Sequence, residues 1–257
     1  MTHEYYRLTT AYATYTAEVQ HQYPGVHKVN IGNKKKCVSF SVYLEDDELP
    51  NLDALGYNES CNSQENLVRG IGTKHMLRTA MEFVLLKYPK VSHRFMLKDI
   101  SVYPCSRYKV DLWAMYLTFH NKTWYEAKFE ATPFDLPDYP RMKKDLKAYL
   151  NTKPNIKDLE ALFSNKSLFA IFKQEYEENT SLIATLKTMN DKYTCDIFFR
   201  WLARLVTKFI PIRQGCEWII AHPKGTVKDL QITQIQSKPE GFFSMQGGDN
   251  MILTMED

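Results

Sequence analysis

Cysteine is scarce and scattered: the five in the chain (Cys37, Cys61, Cys105, Cys195 and Cys216) form no CxxC pair. An odd count at such spacing argues against a disulfide framework or a zinc knuckle, so reduced, packed thiols and no metal site are expected. Long hydrophobic runs are missing too. The stretch from Cys195 to Pro211 is interrupted by Asp196, Arg200, Arg204 and Lys208, which excludes an unbroken membrane span. The opening MTHEYYRLTTAY lacks the basic start, apolar core and small-residue cleavage site of a secretory signal. Charge of one sign is also short: 33 Lys plus Arg against 30 Asp plus Glu leave a formal charge of +3, too little to imply a nucleic-acid or membrane partner. The chain reads as soluble and cytoplasmic, and four Asn-x-Ser/Thr sequons, at Asn58, Asn121, Asn165 and Asn179, are set aside on that ground.

What is present is an ordinary globular composition, 44% hydrophobic and 25% charged over 257 residues, enough for one large domain or two small ones. Cys37 to Leu44 alternates apolar and small polar residues and predicts a strand with one buried face. Residues 51–66 lack periodicity and read as a loop or a short irregular helix. From Thr73 to Tyr88 the apolar residues Met76, Leu77, Ala80, Met81, Val84, Leu85 and Tyr88 recur at three and four, predicting a helix with His75, Arg78 and Glu82 facing outward. Pro89 ends it, and Arg94 to Tyr103 reads as a following strand. Val110 to Phe119 is densely apolar, and Thr123 opens a short helix to Ala131. Residues 141–210 carry helical patterns, including an amphipathic helix through Ile197, Trp201 and Leu205. Glu217 to Ala221 looks like a late strand, and the tail reads as irregular.

Arg69-Gly70-Ile71-Gly72-Thr73 stands immediately before the predicted helix. Glycines there let backbone N–H groups and the positive end of the helix dipole converge on an anion. A bare GxG also makes ordinary helix-entry turns. The dinucleotide fingerprint fails for want of a third glycine, and GIGTKH lacks the Gly-Lys-Ser/Thr ending of a Walker A loop.

The run from Leu67 to Leu77, a strand, and then Trp124-Tyr125-Glu126-Ala127-Lys128-Phe129 resembles the layout of the GNAT acetyltransferase superfamily. Residues 69–80, Asp99-Ile100-Ser101 and Lys122 to Ala131 resemble in more detail a GNAT-like family common in large DNA viruses. The resemblance covers residues 37–131. Leu67 stands where the superfamily places a Gln or Arg, and Phe129 where glycine is common.

The resemblance implies an α/β core with a mixed, twisted sheet over residues 1–136 and a mostly helical extension over 137–257. It implies acetyl-CoA as co-substrate, held by Arg69, Gly70, Ile71, Gly72, Thr73 and Lys74, and an amine as acceptor. An acyl transfer of that kind needs an acid for the departing thiolate, a donor for the tetrahedral oxyanion and a base for the amine. Tyr125 is the expected acid, a backbone amide beside Asp99 the oxyanion donor, and Asp99 or Glu126 the base. Asp99 can equally cap a turn, and Glu126 can equally be a solvated helix face. The rival readings are a non-catalytic GNAT-like structural or protein-interaction component, in the virion or host cytoplasm, and a nucleic-acid module. The basic clusters Lys34–Lys36 and Arg141–Lys144 read as solvated faces, against the last of these.

Overall fold

The computed structural model describes residues 2–32, 36–45, 48–55, 71–99, 102–105, 108–212 and 216–239. The fold is mixed α/β: among the described residues it holds a nine-stranded mixed sheet, a separate two-stranded hairpin and eight α-helices. The chain divides into two compact units, each drawn from more than one stretch of sequence. One comprises Met1–Lys98, Phe129–Thr132 and Glu217–Asp257, the other Asp99–Lys128 and Pro133–Cys216.

The first unit opens on an antiparallel meander of β1 (Thr2–Thr9), β2 (Thr14–Tyr23), β3 (Val26–Gly32), β4 (Lys36–Tyr43) and β5 (Asn51–Leu55). The chain then runs through α1 (Ile71–Lys87) to β6 (Arg94–Asp99), which lies parallel to β5. The sheet continues through β10 (Cys216–Ala221) to β9 (Thr132–Pro133), while β11 (Gln231–Ile235) pairs with β1 at the other edge.

Register explains the core. Tyr6, Ala17, Ile31, Val38 and Leu55 form one rung across five strands, and Val19, Val29, Phe40, Leu52 and Leu97 form the next. Because paired residues share a face, these rungs make one apolar surface, and all ten residues are buried. Helix α1 turns its own stripe inward, with Tyr6 tilted on Phe83 at 5.3 Å between centroids. Gly25 closes the β2–β3 hairpin at φ +76°, where a Cβ would meet the Glu45 side chain at 3.0 Å.

In the second unit, β7 (Val102–Cys105) and β8 (Tyr108–Asp111) form the hairpin. Helices α2 (Leu112–His120), α3 (Trp124–Phe129), α4 (Tyr139–Leu150), α5 (Ile156–Glu160), α6 (Lys166–Glu178), α7 (Leu182–Lys192) and α8 (Trp201–Thr207) follow. Their core is aromatic: Trp201 stacks on Phe163 at 4.5 Å and meets Phe172 edge-on at 5.5 Å. Asn155, Asn165 and Ser181 cap α5, α6 and α7 through their side chains. The sequon asparagine Asn165 thus has a structural task.

Several expectations are corrected. Residues 51–55 are a strand, not a loop. The amphipathic pattern from Ile197 onward is a 3-10 turn (Cys195–Phe198) and then α8, broken where Arg200 takes φ +59°. The thiols are not all reduced: Cys105 and Cys195 are joined by a disulfide, and Cys37 is disulfide-bonded as well. An odd count does not exclude bridges, and spacing alone does not reveal which cysteines form them. Glu82 does not face outward. It is 1% exposed, with His222 Nε2 3.1 Å from one carboxylate oxygen and the Gly225 and Thr226 amides donating at 2.7 and 3.0 Å.

Candidate functional site

Helix α1 begins at Ile71, two residues before the predicted start, so the second glycine lies inside its first turn. The leading N–H groups of a helix have no partner within it, and the dipole adds positive potential there. Ile71 is 64% exposed, Gly72 and Thr73 are buried, and Lys74 is half-buried. Arg69 and Gly70 lie outside the described residues. His75 is tied down: Thr10 Oγ1 lies 2.9 Å from its Nε2 and Tyr12 meets its ring edge-on. Burial pushes its pKa down, with Asp229 opposing and Arg78 adding to the effect.

The ladder between the strands on either side of this helix is short among the described residues. β5 and β6 share the pairs Asn51↔Met96 and Leu52↔Leu97, and among the described residues no pair follows, although both strands run on. The facing edges of Asp53 to Leu55 and of Lys98 therefore carry backbone groups without a ladder between them. Such groups call for hydrogen-bond partners. The ladder ends toward the carboxyl ends of a parallel pair, where open α/β sheets bind ligands. Asp99 closes β6.

In the second unit, α3 is opened by a capping box. The Thr123 amide donates to Glu126 Oε2 at 2.7 Å, and the Glu126 amide donates back to Thr123 Oγ1 at 3.3 Å. Tyr139 Oη donates to the same carboxylate at 2.5 Å and Lys143 Nζ at 2.6 Å. Both Glu126 oxygens are thus engaged in tying α3 to the start of α4. Tyr125 is 4% exposed and meets Trp124 edge-on at 4.9 Å. Trp124 and Phe129 are buried, as core residues.

The structure therefore gathers Ile71, Gly72, Thr73 and Lys74 in one helical turn of the first unit and sets Tyr125 beside Glu126 in the second. Sequence reasoning passed over a separate polar cluster in the first unit: Glu4, His21, His27, Lys87 and Tyr88. A signal was present, since His21 and His27 flank Tyr23-Pro24-Gly25, and a hairpin turning there sets them opposite each other. Among the described residues no group of three or more His, Cys, Asp or Glu is arranged to hold a metal, and no helix is long and apolar enough to cross a membrane. Comparison with family models, with curated proteins and with solved structures gives no match.

Proposed function

We propose that the chain is a GNAT-type acyl-CoA-dependent N-acyltransferase, carrying an acetyl group from acetyl-CoA to an amine. The observation that carries this reading is the parallel β5–β6 pair, whose ladder among the described residues ends at Leu52↔Leu97, joined by a helix whose first turn contains Gly72. In this reading the first-turn amides of Ile71 to Lys74, with Arg69 and Gly70, receive the pyrophosphate. The bare strand edges of β5 and β6 take the amide-bearing arm as a further strand would be taken. A backbone amide near Asp99 holds the oxyanion, Asp99 serves as base through water, and Tyr125 protonates the thiolate as the C–S bond breaks. Glu126 acts through position, by fixing the helix that bears Tyr125.

A second reading, a non-catalytic scaffold that binds protein, is favoured by the burial of Tyr125, Gly72 and Thr73. Disulfides form and persist under oxidising conditions, so we place folding of the chain in such an environment rather than in reducing host cytoplasm.

Titration of thermal unfolding with acetyl-CoA and with coenzyme A separates the two readings. Ligand at 100 times its dissociation constant stabilises by about 2.7 kcal/mol. Gly72→Asp is expected to abolish that gain by setting a carboxylate against the phosphates, and Tyr125→Phe to keep binding while losing turnover. The absence of any shift at millimolar ligand would leave the scaffold reading standing.

A further inference from the structure

The apolar rungs of the first unit end in a polar one. His21 and His27 are paired across β2 and β3, one rung beyond Val19 and Val29, and their rings touch at 4.1 Å between centroids. His21 Nε2 lies 2.7 Å from Glu4 Oε1, His21 Nδ1 lies 3.0 Å from His27 Nε2, and His27 Nδ1 lies 2.8 Å from the Tyr88 hydroxyl. Lys87 Nζ donates to Glu4 Oε2 at 2.6 Å and to Tyr6 Oη at 2.5 Å, and Tyr6 also donates to Glu4. A carboxylate, two imidazoles and a phenol thus form one chain of hydrogen bonds at the carboxyl end of α1.

The direction of every proton in that chain follows from its first member. Burial works against the charge on Glu4, but hydrogen bonds from Lys87, Tyr6 and His21 hold its pKa at about 2, so it is ionised and only accepts. His21 must then carry its proton on Nε2. With both imidazoles neutral, His21 Nδ1 accepts from His27 Nε2–H, and His27 Nδ1 accepts from the Tyr88 hydroxyl. Tyr88 does not ionise to feed the relay: burial, and then the charges of Glu4 and Tyr6, raise its pKa. Its hydrogen is committed inward, and only oxygen lone pairs remain to be offered elsewhere.

Tyr88, itself 7% exposed, lines a cavity of about 530 Å³ together with Tyr43, Leu44, Glu48, Lys87, Lys90 and Val91. That volume lies within the range of small-molecule sites. Of the described lining residues, Lys87 is ion-paired with Glu4 behind the wall, and Lys90 and Glu48 contribute one charge of each sign, so a ligand with net charge meets no surplus of the opposite sign among them and loses its hydration. The wall presents committed acceptors, Tyr88 and Glu48, beside committed donors, Lys87 and Lys90. A hydroxyl, which gives one hydrogen bond and takes another, suits both. Leu44, Val91 and the tyrosine rings supply apolar surface for the carbon side of such a molecule.

We propose that this cavity is a second ligand site, separate from acyl transfer, which takes a neutral polyhydroxyl compound such as a sugar through a hydroxyl that donates to Tyr88 Oη. Protonation of the imidazole pair would reverse the chain, since His27 would then donate to Tyr88 and the phenol would turn its hydrogen outward. The groups facing the pair are Glu4, Lys87, Tyr6 and Tyr88.

The test uses the full chain with glucose and myo-inositol as neutral probes, and glucosamine and glucuronate as charged ones, followed by saturation-transfer NMR. Saturable binding of a neutral probe is expected, at least about tenfold tighter than the charged analogues, and lost in Tyr88→Phe. Nitrogen-15 spectra of histidine-labelled wild-type protein report the relay without any ligand: His21 and His27 are expected as neutral Nε2–H tautomers at pH 8. No binding of either neutral probe, tighter binding of a charged one, unchanged binding in Tyr88→Phe, or an Nδ1–H tautomer at either histidine would each overturn the proposal.

Discussion

Reduction of the Cys105–Cys195 bridge provides a quantitative check on the second unit. The bridge ties the end of the β7–β8 hairpin's first strand to the 3-10 turn before α8, across 90 residues of chain that include α2 to α7. Cross-linking a loop of that length removes chain entropy from the unfolded state worth about 4.6 kcal/mol at 25 °C. Three of the four tryptophans, Trp113, Trp124 and Trp201, lie in this unit, so their fluorescence during urea denaturation follows it rather than the sheet. Cys105→Ala/Cys195→Ala is expected to lose about 4–5 kcal/mol relative to the oxidised wild type, and wild type held in reductant should lose nearly as much. Peptide mapping without reductant should recover the two cysteines as one cross-linked fragment. A stability difference under about 1 kcal/mol would refute the entropic argument, and recovery of free thiols at both positions would refute the bridge itself.

The Glu82 clamp gives a local prediction: Glu82→Ala strips the Gly225 and Thr226 amides of a charged acceptor and should cost about 2–3 kcal/mol. Hydrogen exchange at those two amides is the measurement, and unchanged rates would contradict the clamp. For pH, burial depresses His27, His75 and His222 below their ordinary value of 6.5. The unfolded chain therefore binds more protons, and their stabilisation, full above pH 6.5, is lost as pH falls through the lower folded values. Glu4, held at about 2 against an ordinary 4.5, adds a second loss between those limits. The urea midpoint should fall in both windows, and a flat profile from pH 7 to 5 would contradict the histidine assignment.

Elements with uninterrupted periodicity were legible in the sequence. The strand begun at Cys37, the helix through Met76 and Val84, and the late strand at Glu217 all stand within two residues of their expected starts. The first three strands were not legible, because polar residues occupy inward positions: Glu4, His21 and His27 belong to the face that also carries Tyr6, Val19 and Val29. β5 is five residues long with Asp53 at its centre, and β11 is mostly exposed, so neither carries a usable alternation. Glu82 was assigned outward from its charge, since its partners lie about 140 residues further on and no local pattern points to them. At the candidate site, Thr123 as a cap gave the start of α3, and the reciprocal bond of the capping box occupies the Glu126 carboxylate that was read as a base or a solvated helix face.

Neighbouring strands β6 and β10 are separated in sequence by nearly the whole second unit. During translation, at 5–20 residues per second, β6 leaves the ribosome on the order of ten seconds before the strand that covers its far side. For that time an edge bearing Phe95 and Leu97, both fully buried in the finished protein, stands open to pairing with other chains. Soluble yield should therefore depend on chaperone supply and on the speed of synthesis through residues 100–215, even where the finished fold is stable.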